Sequence, residues 1–242
     1  MTITGRGQIR AVIFDFFGTL VPSFSLKAHT AVLRQMAVTV GAPSDGFVQR
    51  WIETFDERVT GVFPDVESNI RSICTEFSVE PGSRDCTRAA ELRFDYERQH
   101  LTPRPHVIDM LRELRKRGYK IGLISDCSSE LPILWGDTVF APLFDVTIFS
   151  HTARIRKPNP EIYGMACKQL GVSGESCLYV GDGGSRELSG AAKTGMVALL
   201  LLDPAEAQDP DVHRVDGEAW GGAAISELSE IFTHLKEESG AG

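Results

Sequence analysis

Five short runs, Ile9–Phe14, Tyr119–Ile124, Phe144–Phe149, Cys177–Val180 and Met196–Leu202, constrain this chain more than any other feature. Each is mostly apolar and is bounded by loop residues, which reads as a strand buried on both faces. From Gly118 onward the runs alternate with helical patterns. One opens at Asn159-Pro160, carries Ile162, Tyr163, Ala166 and Leu170 on one face and stops at Gly171. Asn suits the N-cap, Pro the first helical position and Gly the C-terminal end. Another spans about Ser185 to Thr194 and stops at Gly195. Strand and helix in alternation predict an α/β fold with a doubly wound parallel sheet.

About a hundred residues between the first two runs break this rhythm, far more than the short loops and single helix of an ordinary crossover. Apolar positions at helical spacing mark four helices there. The first carries Leu26, Leu33, Met36 and Val40, the second Phe47, Trp51, Phe55 and Val59 at steps of four. Val66, Ile70, Ile73 and Phe77 mark the third, Cys86, Ala90 and Phe94 the fourth. The expectation is an α/β core of residues 1–21 and 101–242 with a helical bundle, residues 22–100, inserted after the first strand. Pro103 and Pro105 mark the return, and residues 237–242 are expected to fray. A chain of 242 residues suits one core with such an insertion.

Charge and composition narrow the partners. A net charge of −8 opposes binding to nucleic-acid backbones. The basic cluster Arg112, Arg115, Lys116, Arg117 and Lys120 ends a helical pattern, where cations complement the carbonyl end of the helix dipole. No apolar stretch approaches the ~20 residues of a membrane span, and residues 1–10 lack a secretory h-region. The five cysteines contain no C-x-x-C pair, which favours neither a disulfide framework nor a zinc site and suits a reducing cytoplasm. The six histidines are scattered without metal-ligand spacing, so surface or capping roles are expected for them. The Trp51 and Phe55 stripe reads as bundle core. Arg34, Arg50 and Arg58 have no assigned face, and nothing in the pattern specifies an oligomeric state.

Four polar residues each follow a strand pattern: Asp15, Ser125, Lys157 and Asp182. In a parallel sheet they converge on the carboxyl edge, where open α/β sheets bind ligands. A carboxylate able to attack, a hydroxyl and an ammonium able to hold an anion, and a second carboxylate able to hold a hard cation together suit phosphoryl transfer with Mg²⁺. Gly181-Asp182-Gly183-Gly184 is not a dinucleotide loop, because Arg186 stands where the last glycine of G-x-G-x-x-G would be.

In order along the chain, Phe14-Asp15-Phe16-Phe17-Gly18-Thr19-Leu20, Gly122 to Asp126, Arg156-Lys157-Pro158-Asn159-Pro160-Glu161-Ile162-Tyr163 and Val180-Gly181-Asp182 through Gly190-Ala191 resemble the four motifs of the haloacid dehalogenase (HAD) superfamily, in its phosphoglycolate phosphatase-like branch with a helical cap. The resemblance implies a Rossmann-like core and a hydrolase acting on a small phosphorylated metabolite. It implies that Asp15 is the nucleophile forming an aspartyl-phosphate and that Ser125 and Lys157 hold the phosphoryl group. Gly18, Thr19 and Asp126 would join them in binding substrate, and Mg²⁺ would sit on Asp15, the Phe17 carbonyl, Asp182 and Glu187. Three positions depart from the pattern. Phosphatases of the superfamily carry at position 17 an Asp that protonates the leaving group, where this chain has Phe17; Asp126 replaces a common Asn, and Glu187 a commoner Asp. Losing general acid–base help removes roughly 10² to 10⁴ in rate. An aromatic residue at position 17 also resembles the 2-haloacid dehalogenases, which displace halide and need no acid there, but those lack the Gly-Asp metal motif. A low-turnover binding homologue is the third reading.

Overall fold

The sheet of this protein, seen in a computed structural model that describes residues 8–212 and 214–235, has six parallel strands in the order β3-β2-β1-β4-β5-β6. They are β1 (Ala11–Phe14), β2 (Lys120–Ser125), β3 (Val146–Phe149), β4 (Cys177–Gly181), β5 (Val197–Leu201) and β6 (Ala224–Ile225). The first five fall on the five apolar runs. The sixth was not expected, because two residues are too few to show a pattern. Residues 237–242, expected to fray, lie outside the described residues.

Chain direction across the sheet reverses between β1 and β4, which makes their carboxyl ends the switch point where such sheets open a crevice. Both faces of the central strands are covered, which explains their apolar runs, whereas the edge strand β3 is half-buried and its run carries Asp145 and Thr147. On β1, Val12 and Phe14 pack with Val107, Met110, Leu111 and Leu114, while Ala11 and Ile13 pack with Ile162, Tyr163, Ala166 and Leu170.

The insertion comprises α1 (Leu26–Val40), α2 (Ser44–Glu53), α3 (Phe55–Val59), α4 (Val66–Glu76) and α5 (Ser83–Gln99). It buries a cluster of its own around Leu33, Met36, Phe47, Trp51, Ile70 and Ile73. The single helix expected over residues 47–59 is broken at Thr54, which caps both α2 and α3; its hydroxyl donates to the Arg50 carbonyl at 2.9 Å, a local bond that competes with helix continuation. Beyond the insertion follow α6 (Val107–Lys116), α7 (Glu130–Leu134), α8 (Ser150–Ala153), α9 (Pro160–Leu170), α10 (Glu187–Lys193) and α11 (Pro204–Ala207). Asn159 caps α9 by accepting from the Glu161 N–H, as the sequence predicted.

Both ends of the insertion are tied to one carboxylate. Glu206 on α11 accepts from the Ser23 hydroxyl at 2.7 Å and from Arg104 Nη2 at 2.6 Å, and the same Arg104 nitrogen donates to the Gly18 carbonyl at 2.9 Å. Among the described residues no helix is long and apolar enough to cross a membrane.

Candidate active site

Asp15 directly follows β1 and is 5% exposed. Each of its carboxylate oxygens has one donor: Lys157 Nζ reaches Oδ1 at 2.6 Å and the Thr19 hydroxyl reaches Oδ2 at 2.9 Å. Thr19 therefore holds Asp15 itself. Gly18 adopts φ +81°, and a Cβ there would lie 2.4 Å from Asp182 Oδ2. Only glycine permits this turn and this approach.

Lys157 donates a second bond, to Glu187 Oε2 at 2.6 Å. Glu187 also accepts from the Tyr179 hydroxyl at 2.8 Å and the Gly183 N–H at 3.1 Å. Ser185 and Arg186, both left-handed (φ 53° and 49°), turn the chain so that this carboxylate enters beneath the strand ends. Gly181 makes room for it, since a Cβ there would meet Glu187 Oε1 at 2.1 Å. Asp182 accepts from the Gly184 N–H at 3.0 Å and from Arg214 Nε at 2.8 Å. Asp15, Asp182 and Glu187 each present an oxygen, all within 4.8 Å of one another. Three buried carboxylate oxygens this close are a hard-cation donor set, so the residues present fit Mg²⁺.

The electrostatics follow from burial and crowding. Burial presses the Lys157 ammonium down, but Asp15 and Glu187 outweigh it and hold the pKa well above the usual lysine value. Glu187 is pushed well up by burial and then by Asp15, and Asp182 is raised by the same two causes. Like charges in a small volume resist ionising together, and any added cation relieves them.

The remaining predicted residues bracket this centre. Ser125, fully buried at the end of β2, has no hydrogen-bond partner for its hydroxyl. Asp126 accepts from the Lys157 N–H at 3.0 Å through Oδ1, while its buried Oδ2 makes no hydrogen bond and lies 3.9 Å from Arg156 Nη1; burial raises its pKa. The half-buried Phe17 ring leans on Phe16 and Phe24 at centroid distances of 5.0 and 4.6 Å. Asp15, Lys157, Asp182 and Glu187 line a cavity of about 110 Å³. A larger one of about 260 Å³ lies beneath the inserted helices, and Phe17, Phe24, Phe55, Asp126 and Val215 line both.

Several residues fall elsewhere than expected. Trp51 belongs to the bundle core, but with Phe55 it also walls the larger cavity. His29 is not a surface group, for it lines that cavity beside Phe24 and Tyr96. His100 does take a capping position, at the end of α5. Arg34 and Arg50 form exposed ion pairs, whereas Arg58 is buried against the larger cavity. Sequence reasoning missed Arg214 and Tyr179. Arg214 lies in a loop without periodicity, so no signal pointed to it; Tyr179 was the one polar tip within the β4 run.

Comparison with known proteins adds to this geometry. The family model for haloacid dehalogenase-like hydrolases matches residues 9–195. The chain is 28% identical over 200 residues to a glyceraldehyde 3-phosphate phosphatase of Methanopyrus kandleri, covering 80% of this chain and 84% of that one. It is 25% identical over 200 residues to the (S)-2-haloacid dehalogenase 4A of Burkholderia cepacia, covering 80% and 83%. Among solved structures, the 2-haloacid dehalogenase of Pseudomonas syringae pv. Tomato superposes with a TM-score of 0.67 at 21% identity, covering 93% of this chain and 97% of the other, a likeness of fold.

Proposed function

The chain belongs to the haloacid dehalogenase-like hydrolase family, and from that premise we propose that it is a Mg²⁺-dependent phosphatase acting on a small phosphorylated metabolite through Asp15. The observation that carries this reading is the convergence of the Asp15, Asp182 and Glu187 carboxylates within 4.8 Å, a donor set that halide displacement by a lone carboxylate does not need. The chain is similar to a phosphatase and to a dehalogenase alike, and the carboxylate convergence supports the phosphatase reading.

Ser125 and Lys157 hold the phosphoryl group while an Asp15 oxygen attacks phosphorus. The bond to the leaving oxygen breaks as the aspartyl-phosphate forms. Water then attacks that phosphorus, releasing phosphate and restoring the carboxylate. Thr19 and Lys157 fix the attacking group by one hydrogen bond to each oxygen, so little reorganisation is required. Asp15, the Phe17 carbonyl, Asp182 and, directly or through water, Glu187 would hold Mg²⁺, which supplies the positive charge that lets an anionic nucleophile meet an anionic substrate. Residues 22–100 act as a cap that excludes water from the cleft and selects the substrate. The free cysteines suit a cytoplasmic setting.

Phosphate release across a panel of phosphorylated metabolites, with Mg²⁺ and with EDTA, tests the reading. Release that needs the metal and vanishes in Asp15→Asn is expected. Equal release under all conditions overturns it. Phe17 favours the second reading, halide displacement from a 2-haloacid, and chloride release that survives EDTA would select it.

A further inference from the structure

Of the three arginines considered on the first two helical patterns of the insertion, two are matched at the surface: Arg34 by Asp45 at 3.0 Å, and Arg50 by Glu53 and Glu76 at 2.6 Å each. Arg58 differs. It is 7% exposed and, among the described residues, no carboxylate lies within ion-pair distance of it. Its Nη1 donates to the Trp51 carbonyl and, at 2.9 Å, to the Thr54 hydroxyl, and its guanidinium lies 4.7 Å from the Trp51 ring centroid. Among the described residues, Nε and Nη2 have no hydrogen-bond partner.

Arg93 makes the contrast. It lines the same cavity, is equally buried, and is matched by Glu130 at 2.7 Å and Glu97 at 3.2 Å. Burial, and then Arg93, lower the Arg58 pKa to about 9, so it remains a cation at neutral pH. Glu130 and Glu57 offset these only from beyond ion-pair distance, and a buried cation without a directly paired counter-charge is unfavourable. The other acids on the cavity wall are already engaged, Glu97 by Arg93 and Asp126 by the Lys157 N–H.

The cavity that Arg58 lines is otherwise largely apolar, walled by Phe17, Phe24, Trp51, Ile52, Phe55 and Val59. A cavity of about 150 Å³ holds benzene, so one of about 260 Å³ holds a ring with a short chain. It shares Phe17 and Phe55 with the cavity at Asp15, so one molecule can occupy both. Resting on the reading of Asp15 as a phosphatase nucleophile, we propose that the substrate's leaving part is an apolar body ending in a carboxylate, and that Arg58 binds this carboxylate.

The experiment measures binding without turnover. Calorimetric titration of the full chain with 3-phenylpropionate and with the neutral 3-phenylpropionamide should show the carboxylate binding about ten- to a hundredfold more tightly, the range for a hydrogen-bonded charge pair. Arg58→Met should erase that preference without lowering the melting temperature, because it removes an uncompensated buried charge. Should that variant not fold, Arg58→Gln reads the same difference. Equal binding of the two probes, no binding of either, or a preference that survives removal of the charge would each overturn the assignment. A carboxylate preference with no phosphate release from any compound would leave the Arg58 subsite standing and refute the phosphatase reading instead.

Discussion

The Phe17 ring lies 4.6 Å from that of Phe24, tilted by 33°, and the two rings line both the cavity at Asp15 and the larger one under the inserted helices. Position 17 thus lies at the boundary of the two cavities, and on the proposed phosphatase reading an aromatic wall stands there in place of an acid.

Phe17→Asp restores a carboxyl at that boundary. Phosphate release should rise by about 10²-fold, the lower end of what general acid–base help supplies. The lost contacts with Phe16 and Phe24 should lower stability by about 1–3 kcal/mol. Steady-state kinetics and thermal melts read both effects, and an unchanged rate in a folded variant rules out a missing acid as the defect.

Asp126→Asn addresses the acid already present. Its Oδ2 makes no hydrogen bond, burial raises the pKa of this carboxyl, and the residue lines both cavities. The variant should release phosphate from alkyl phosphates about 10²-fold more slowly and leave nitrophenyl phosphate near the wild-type rate, because a good leaving group needs no proton. An equal loss on both substrates would mark Asp126 as structural.

Lys157→Met strands Asp15 and Glu187 as buried charges. A loss of about 3–5 kcal/mol is expected in metal-free denaturation curves. Mg²⁺ should recover part of it, and in the native chain should add about 2.7 kcal/mol at a hundred times its dissociation constant. The absence of any Mg²⁺ shift in either protein would refute the metal assignment of the carboxylates.

Glu97 sets a pH dependence. Burial raises its carboxyl from 4.5 to about 7 against the pull of Arg93. The folded chain therefore keeps a proton that the unfolded chain has already released. The resulting stability is complete below about 4.5 and is lost as pH rises through about 7, a change of order 3 kcal/mol for this group. Urea midpoints measured between pH 4.5 and 8 should fall over that window and flatten in Glu97→Gln. A slope that persists in the variant assigns the titration to another residue.

The strands of the core were legible because burial on both faces leaves an unambiguous apolar run, and their order along the chain placed Asp15, Lys157 and Asp182 at one edge. The strand Ala224–Ile225 was not, since two residues carry no period. Thr54 hid the break between α2 and α3 because the step-of-four pattern of Phe47, Trp51, Phe55 and Val59 continues across it. Arg214 reaches Asp182 from 32 positions away in an irregular loop, a contact that only tertiary structure reveals. Arg58 could not be told from Arg34 and Arg50 by its neighbours in sequence. What separates it is that, among the described residues, no carboxylate lies within ion-pair distance of it.

Glu206 joins Ser23, where the insertion departs, to Arg104, where it returns, and Arg104 in turn grips the carbonyl of Gly18, three residues past Asp15. Ser23 and Arg104, on the two chain crossings, therefore share one anchor on α11, and through Arg104 that anchor also reaches the loop that follows β1.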